Sequence, residues 1–353
     1  MDNTRAIIRF CSVALSIVIF LAYGSYKSLF VVDSAVESDQ SFNQNTTSVQ
    51  SDATVLESED EEKAQSSSAA SQQTASNKKD TASVAVSATG VVKGDIIDRF
   101  ISPYTANTSY NNVYLKNNTE LQIDLKEFVD SELDFKIEKN AKPQVLILHT
   151  HATESYIMHN ENYYTDTDRA RNTNNKKNMV ALGKIISERL NGAGIVTLHD
   201  TTQHDYPSYN ESYSRAAQTI CNYQEKYKSI KIVIDLHRDA LAASNGNKIK
   251  TTTEINGKRA AQIMLVMGSQ SGGVTNFPNW KENLKLASKL QQTLEVMYPS
   301  LARSIHFMPK NYNQSLSTGS LLIEIGTDGN NFDEAKYSAE LLSDALICLL
   351  NTI

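Results

Sequence analysis

The chain has 353 residues, a formal charge of −6 and 21% charged side chains, and its apolar content collapses between about Ser34 and Gly90. An acidic balance with no block of Lys and Arg argues against nucleic acid as a partner. Three cysteines (Cys11, Cys221 and Cys348) without C-x-x-C spacing leave no basis for a disulfide scaffold or a thiolate metal site.

From Phe10 to Tyr26 there is no charge, with Arg5 and Arg9 before the run and Lys27 after it. Counting Ala6 to Ile8, the run approaches the roughly 20 residues that cross a bilayer, and the leading Arg pair keeps the N-terminus inside. Residues 1–32 are therefore expected to be an uncleaved single-pass anchor at the cell membrane, with the body extracytoplasmic. A cleaved signal peptide is the competing reading, and Ala22-Tyr23-Gly24 is a poor cleavage site for it. Residues 33–90 are rich in Ser, Thr, Gln, Ala and acids, with no aromatic between Phe42 and Phe100. Such a stretch cannot bury enough apolar surface to offset its ordering entropy, so it reads as a disordered linker, with a mean reach of about 40 Å. Residues 91–353 remain as one folded domain.

Within that domain, Gln144 to His149 reads as a buried strand. Asn178 caps a helix running to about Asn191, which Gly192 and Gly194 stop. A short strand over 195–198 leads through a polar loop to a helix from Ser212 to Tyr227. A strand follows from Ile230 to Asp235, and Asn256-Gly257 turns a hairpin that Gln262 to Met267 continues. Trp280 to Tyr298 is a long amphipathic helix, Ser320 to Ile325 an apolar strand interrupted by one acid, and Asp333 to Asn351 the closing helix. Cys221 and Cys348 fall in helical apolar patterns and are expected to be buried. Strands alternating with helices imply an α/β three-layer sandwich around a mostly parallel sheet, whose ligands gather beyond the carboxyl ends of the strands.

That rule selects residues. His149-Thr-His151-Ala-Thr-Glu154 follows the first strand, His237 follows the third, and Glu324 lies inside the last. A catalytic zinc takes three protein ligands and keeps one open position; His151, Glu154 and His237 supply such a set, with His149 the rival for His151 as ligand or a group that orients one. Glu324 is costly to bury unpaired and suits a general base whose pKa burial raises. Arg238 is either a clamp for an oxyanion or a substrate carboxylate, or a salt-bridge partner of Asp235, Asp239 or Glu324. His159, His199, His204 and His306 lack acids at ligand spacing, and no G-x-S-x-G elbow or Gly-rich phosphate loop is present.

The segments VLILHTHATESY, IVIDLHRD and YNQSLSTGSLLIEIGT, in this order, resemble the stage II sporulation protein P family of endospore-forming bacteria over roughly Gln144 to Ile353. That family is similar to the zinc-dependent N-acetylmuramoyl-L-alanine amidases, whose first ligand, later His and catalytic Glu fall at His151, His237 and Glu324. One departure stands out: those amidases take a Glu ligand from just before a helix, and Asn174-Asn175-Lys176-Lys177-Asn178 holds no acid here. Glu154 is the nearest substitute, in an arrangement like the H-x-x-E…H of zinc carboxypeptidases. The resemblance implies a peptidoglycan hydrolase that cuts between N-acetylmuramic acid and L-alanine during engulfment, sometimes with endopeptidase activity, alongside a stage II D lytic partner. A zinc endo- or carboxypeptidase on stem peptides and a non-catalytic peptidoglycan-binding module are the rival readings.

Overall fold

The computed structural model describes residues 88–243 and 245–353, all within the compact unit Lys79–Ile353. The expected membrane anchor, and all but the last residues of the expected linker, lie outside the described residues. Among the described residues no helix is long and apolar enough to cross a membrane.

Twelve strands are described: β1 (Val92–Arg99), β2 (Thr108–Tyr110), β3 (Val113–Asn117), β4 (Val145–Leu148), β5 (Tyr163–Thr165), β6 (Thr197–His199), β7 (Ile232–Asp239), β8 (Lys248–Ile255), β9 (Lys258–Ala261), β10 (Ile263–Gly268), β11 (Ile305–Met308) and β12 (Ser320–Thr327). Five α-helices accompany them: α1 (Leu125–Asp130), α2 (Met179–Gly192), α3 (Ser212–Lys226), α4 (Trp280–Met297) and α5 (Phe332–Leu350). The larger sheet has the order β2-β3-β11-β10-β12-β7-β4-β6. Only the β2–β3 and β10–β12 pairs are antiparallel, so the fold is mixed α/β with a mostly parallel sheet. A smaller sheet, β5-β1-β8-β9, stands beside it.

Side-chain alternation explains the layers. Val145 and Ile147 of β4, Ile232, Ile234 and Leu236 of β7, and Leu321, Ile323 and Ile325 of β12 join one large core with α2, α4 and α5. Leu146, Leu148 and Val233 point the other way, where Ala216 and Ile220 of α3 cover them. Farther along that second face only Met264, Val266 and Leu322 form a small cluster, flanked by Met308 and Tyr312. The two faces are thus unequally covered, and the thinner cover lies over β12.

Asn178 caps α2 by accepting from the Val180 amide, and Asn331 and Glu334 close a capping box at the start of α5. The hairpin forms where Asn256 and Gly257, both at positive φ, join β8 to β9. Three expectations need correction. The hairpin does not continue into β10: at Gln262 the chain leaves the small sheet, and β10 pairs with β11 and β12. β7 runs on to Asp239, so His237 lies within a strand and not past its end. Cys221 and Cys348 are exposed, since each sits just beyond the buried stripe of its helix.

Candidate active site

On β7 the residues alternating with the core set are Val233, Asp235 and His237; on β12 they are Leu322 and Glu324. Parallel pairing sets Leu322 beside Asp235 and Glu324 beside His237. Glu324 therefore interrupts an apolar strand without entering the main core, because period two turns it to the thinly covered face. Its residue is half-buried, while the oxygen Oε2 is buried and has no hydrogen-bond partner among the described residues. One residue later the ladder slips, three positions on β12 (Glu324 to Thr327) answering two on β7 (His237 to Asp239). Gly326 makes this bulge possible: its φ is +62°, and a Cβ there would meet Asn330 Oδ1 at 2.6 Å.

The turn after β4 delivers the rest. His151 is buried, and its ring lies 5.3 Å from that of His237, nearly perpendicular. Among the described residues its Nδ1 has no hydrogen-bond partner, and its Nε2 lies 3.3 Å from the Tyr209 hydroxyl. Glu154 accepts the Arg238 backbone N–H at 3.2 Å, and the same oxygen lies 3.7 Å from His237 Nδ1. Tyr156 donates to the Ile325 carbonyl at 2.7 Å, which ties this turn to β12 beside Glu324. Tyr209 stacks on His151 at 4.7 Å and Tyr213 meets it edge-on at 5.6 Å, so an aromatic wall closes one side.

His237 Nε2 is 2.9 Å from Asp235 Oδ1. The contact is short but out of line, so charge attraction holds the pair while Nε2 gains no hydrogen bond. Asp235 is itself fixed by the Thr150 amide at 2.8 Å and hydroxyl at 2.6 Å. Burial would raise the Asp235 pKa, but His237 and Thr150 hold it below the usual carboxylate range. Burial would lower the His237 pKa, but Asp235, Glu154 and Glu324 together lift it well above the ordinary imidazole value. His151 is driven down to about 4 by burial, with His237 and Arg171 adding to the effect and Glu154 opposing it. Burial pushes Glu324 up to about 8, against the opposing charges of His237 and Arg238.

His151, Glu154, His237 and Glu324 are thus brought together. His149 turns away: its Nδ1 donates to the Leu236 carbonyl at 3.1 Å and its Nε2 meets His199 Nε2 at 2.9 Å. Arg238 makes none of the ion pairs open to it. Its Nε, Nη1 and Nη2 donate to the carbonyls of Ser155, Asp239 and Ala170, and the Asp239 carboxylate pairs with Arg303 at 2.7 Å. His159 pairs with Asp168 at 3.0 Å, and His204 bonds the His149 carbonyl and Thr219. Sequence reasoning named Asp235 only as a partner open to Arg238; its place beside His237, on the same face at period two, was findable on that ground. Tyr209 and Tyr213 carried no such signal, since they reach the site from α3 and the loop before it.

The donor set of two imidazoles and one carboxylate is the kind that zinc takes when it keeps an open position. Buried polar atoms without partners on His151, His237 and Glu324, ringed by carboxylates, suit a cation. Among the described residues no three His, Cys, Asp or Glu side chains already converge closely enough to hold an ion, so these groups would have to draw in around it.

A family model described as Stage II sporulation protein P (SpoIIP) matches residues 18–347. Stage II sporulation protein P of Bacillus subtilis (strain 168) is 31% identical over 216 residues, 58% of this chain and 50% of that protein. The chain thus spans about half the length of the curated relative it matches. Among solved structures, the CwlD amidase from Clostridioides difficile, in complex with the GerS lipoprotein, is 12% identical over 59% of this chain and 97% of its own, with a TM-score of 0.36. The catalytic domain of CwlV, an N-acetylmuramoyl-L-alanine amidase from Bacillus (Paenibacillus) polymyxa var. colistinus, is 8% identical over 60% of this chain and 99% of its own, with a TM-score of 0.35. With a family model matching from residue 18 to residue 347, the chain belongs to the stage II sporulation protein P family.

Proposed function

We propose that this chain is a zinc-dependent peptidoglycan hydrolase that cleaves the amide between N-acetylmuramic acid and L-alanine, held at the outer face of the cell membrane during engulfment. The observation that carries this reading is the set His151, Glu154, His237 and Glu324 gathered on one thinly covered sheet face, three of them with a buried atom that lacks a partner.

His151, His237 and Glu154 would hold the zinc. When bound, the metal would polarise the scissile carbonyl and acidify a water. The residues do the remainder. His151 is already the neutral imidazole that ligation requires, whereas His237, whose proton the surrounding carboxylates hold, would release it on binding. Asp235, clamped by Thr150, sets the orientation of His237, and the Arg238 amide sets Glu154. A cation held by these ligands would lower the raised pKa of Glu324 toward neutrality, where a general base works best. Glu324 then accepts the proton of the attacking water and returns it to the leaving amine. Arg238 acts as a positioning residue, tying the end of β7 to the carbonyls of Ser155 and Ala170. A stage II D lytic protein that cuts the glycan is the expected partner.

The test is digestion of purified peptidoglycan by the zinc-loaded protein, with mass analysis of the products. Free stem peptides beginning with L-alanine, together with glycan lacking them, are the expected result. Products cut only within the stem would make the protein a peptidase, and wall binding without products would make it a binding module.

A further inference from the structure

The site holds a second arginine that the reaction scheme leaves unassigned. Arg171 lies between β5 and α2, and its backbone bridges that of Glu154. Its Nη1 donates to Asp205 at 2.6 Å and lies 3.3 Å from Thr153 Oγ1. The Asp205 side chain is wholly buried and also accepts from the Thr153 amide, whereas the Arg171 side chain keeps 42% of its surface exposed. The guanidinium carbon sits 4.7 Å from the centre of the Tyr209 ring, and that ring stacks on His151. Among the described residues no hydrogen bond engages Nε or Nη2 of Arg171.

A buried carboxylate thus fixes one end of the fork, the Tyr209 ring lies against the guanidinium, and the side chain stays partly exposed next to the ring that stacks on His151. Such a pre-set planar cation is suited to bidentate capture of a carboxylate. Arg238, the other arginine near the site, has all three of its guanidinium nitrogens on backbone carbonyls. Near the scissile bond the lactyl carboxyl of the glycan is itself tied up in the amide, so the free carboxylates within reach belong to the peptide.

Resting on the amidase reading, we infer that Arg171 is a substrate-binding residue that recognises a carboxylate on the peptide side of the scissile amide. The class of substrate is then an acidic stem, and masking that acid as a carboxamide weakens recognition.

The experiment uses the full chain and two synthetic muropeptides that differ only in whether the acidic residue after L-alanine is a carboxylate or a carboxamide. The carboxylate form should be preferred by about 10- to 100-fold in kcat/KM, carried mainly by KM, as for a hydrogen-bonded charge. Arg171→Ala should erase that preference, and Arg171→Lys, which keeps the charge without the fork, should restore part of it. Because removing Arg171 strands the buried Asp205, Arg171→Ala with Asp205→Asn is measured beside it, and the same loss of preference is expected. A preference that survives in these variants, or an equal fall for both compounds, overturns the assignment. If neither compound is cleaved, calorimetric binding of the same pair separates the two ideas. In that case an Arg171-dependent preference in binding keeps the clamp and sinks the amidase reading, and equal binding sinks both; cleavage of both compounds without any preference keeps the amidase reading and sinks the clamp.

Discussion

Glu324 and His237 sit side by side because two parallel strands share a register, and the period of two turns both toward the thinly covered face. A carboxyl in that position, with Oε2 buried and unpartnered, has chemistry as its best explanation, since structure alone gains nothing from it. Glu324→Gln preserves shape but cannot accept a proton. It should keep zinc and wall binding while losing activity by at least about 10²-fold; zinc loss in a folded variant would make Glu324 a ligand instead. His151→Ala should lose stoichiometric zinc, whereas His149→Ala, whose ring faces Leu236 and His199, should retain it. Metal analysis of the two purified variants decides, and the opposite pattern sinks the ligand set. The acid in Leu-Leu-Ile-Glu-Ile and the H-x-x-E spacing made these residues legible from sequence. The Tyr209 wall and the engagement of Arg238 with carbonyls were not, because both depend on loops whose paths no periodicity encodes.

At the scale of elements, the packing of α2 against β4 and β6 centres on the His149–His199 contact. His149 Nδ1 donates to a carbonyl, so its Nε2 accepts and His199 Nε2 donates, a match that needs a neutral His149 ring. Helix α2 comes this close because Gly183 has no side chain: a Cβ there would lie 2.5 Å from His199 Nε2 and 2.6 Å from His149 Nε2. Burial lowers His149 to about 3, and lowers His199 to about 4. Both values lie below the ordinary imidazole pKa of about 6.5, so the unfolded chain binds more protons in acid. The stability from this pair is therefore complete above about pH 6.5 and is lost as pH falls toward 4, on the order of 3 kcal/mol for His199. Urea midpoints of the metal-free protein should fall across that window. His199→Gln, which removes one titrating ring, should show a shallower fall, and parallel curves for the two proteins would exclude the pair as an acid trigger.

Over the whole molecule, the parallel β4–β7–β12 core could be read in advance because its strands are short, apolar and each tied to a helix. Of the small sheet only the β8–β9 hairpin could, and β1 and β5 could not. β1 carries Gly94 and two acids in an exposed pattern, and its partner β8 lies some 150 positions away. Yet β1 stands between β5 and β8, and Asp98 accepts from Thr252 at 2.6 Å and pairs with Arg259. Where the folded part begins is therefore a sharp question. A chain starting at residue 88 keeps β1, including the bonds between Val91 and Asp166. It should unfold within about 2–4 °C of the full chain, the shift that 1 kcal/mol makes at this size, and it should still digest purified wall. A chain starting at residue 100 loses both ladders of β1, and its midpoint should drop well beyond that margin. The apolar run of residues 10–26 should send the full chain to membranes on fractionation and leave the chain from residue 88 in the supernatant. If the chain from residue 88 matched the full chain in midpoint and zinc content yet failed on wall material, the residues before it would have a part in recognising or reaching the substrate, and the assignment of the whole chemistry to residues 88–353 would fall.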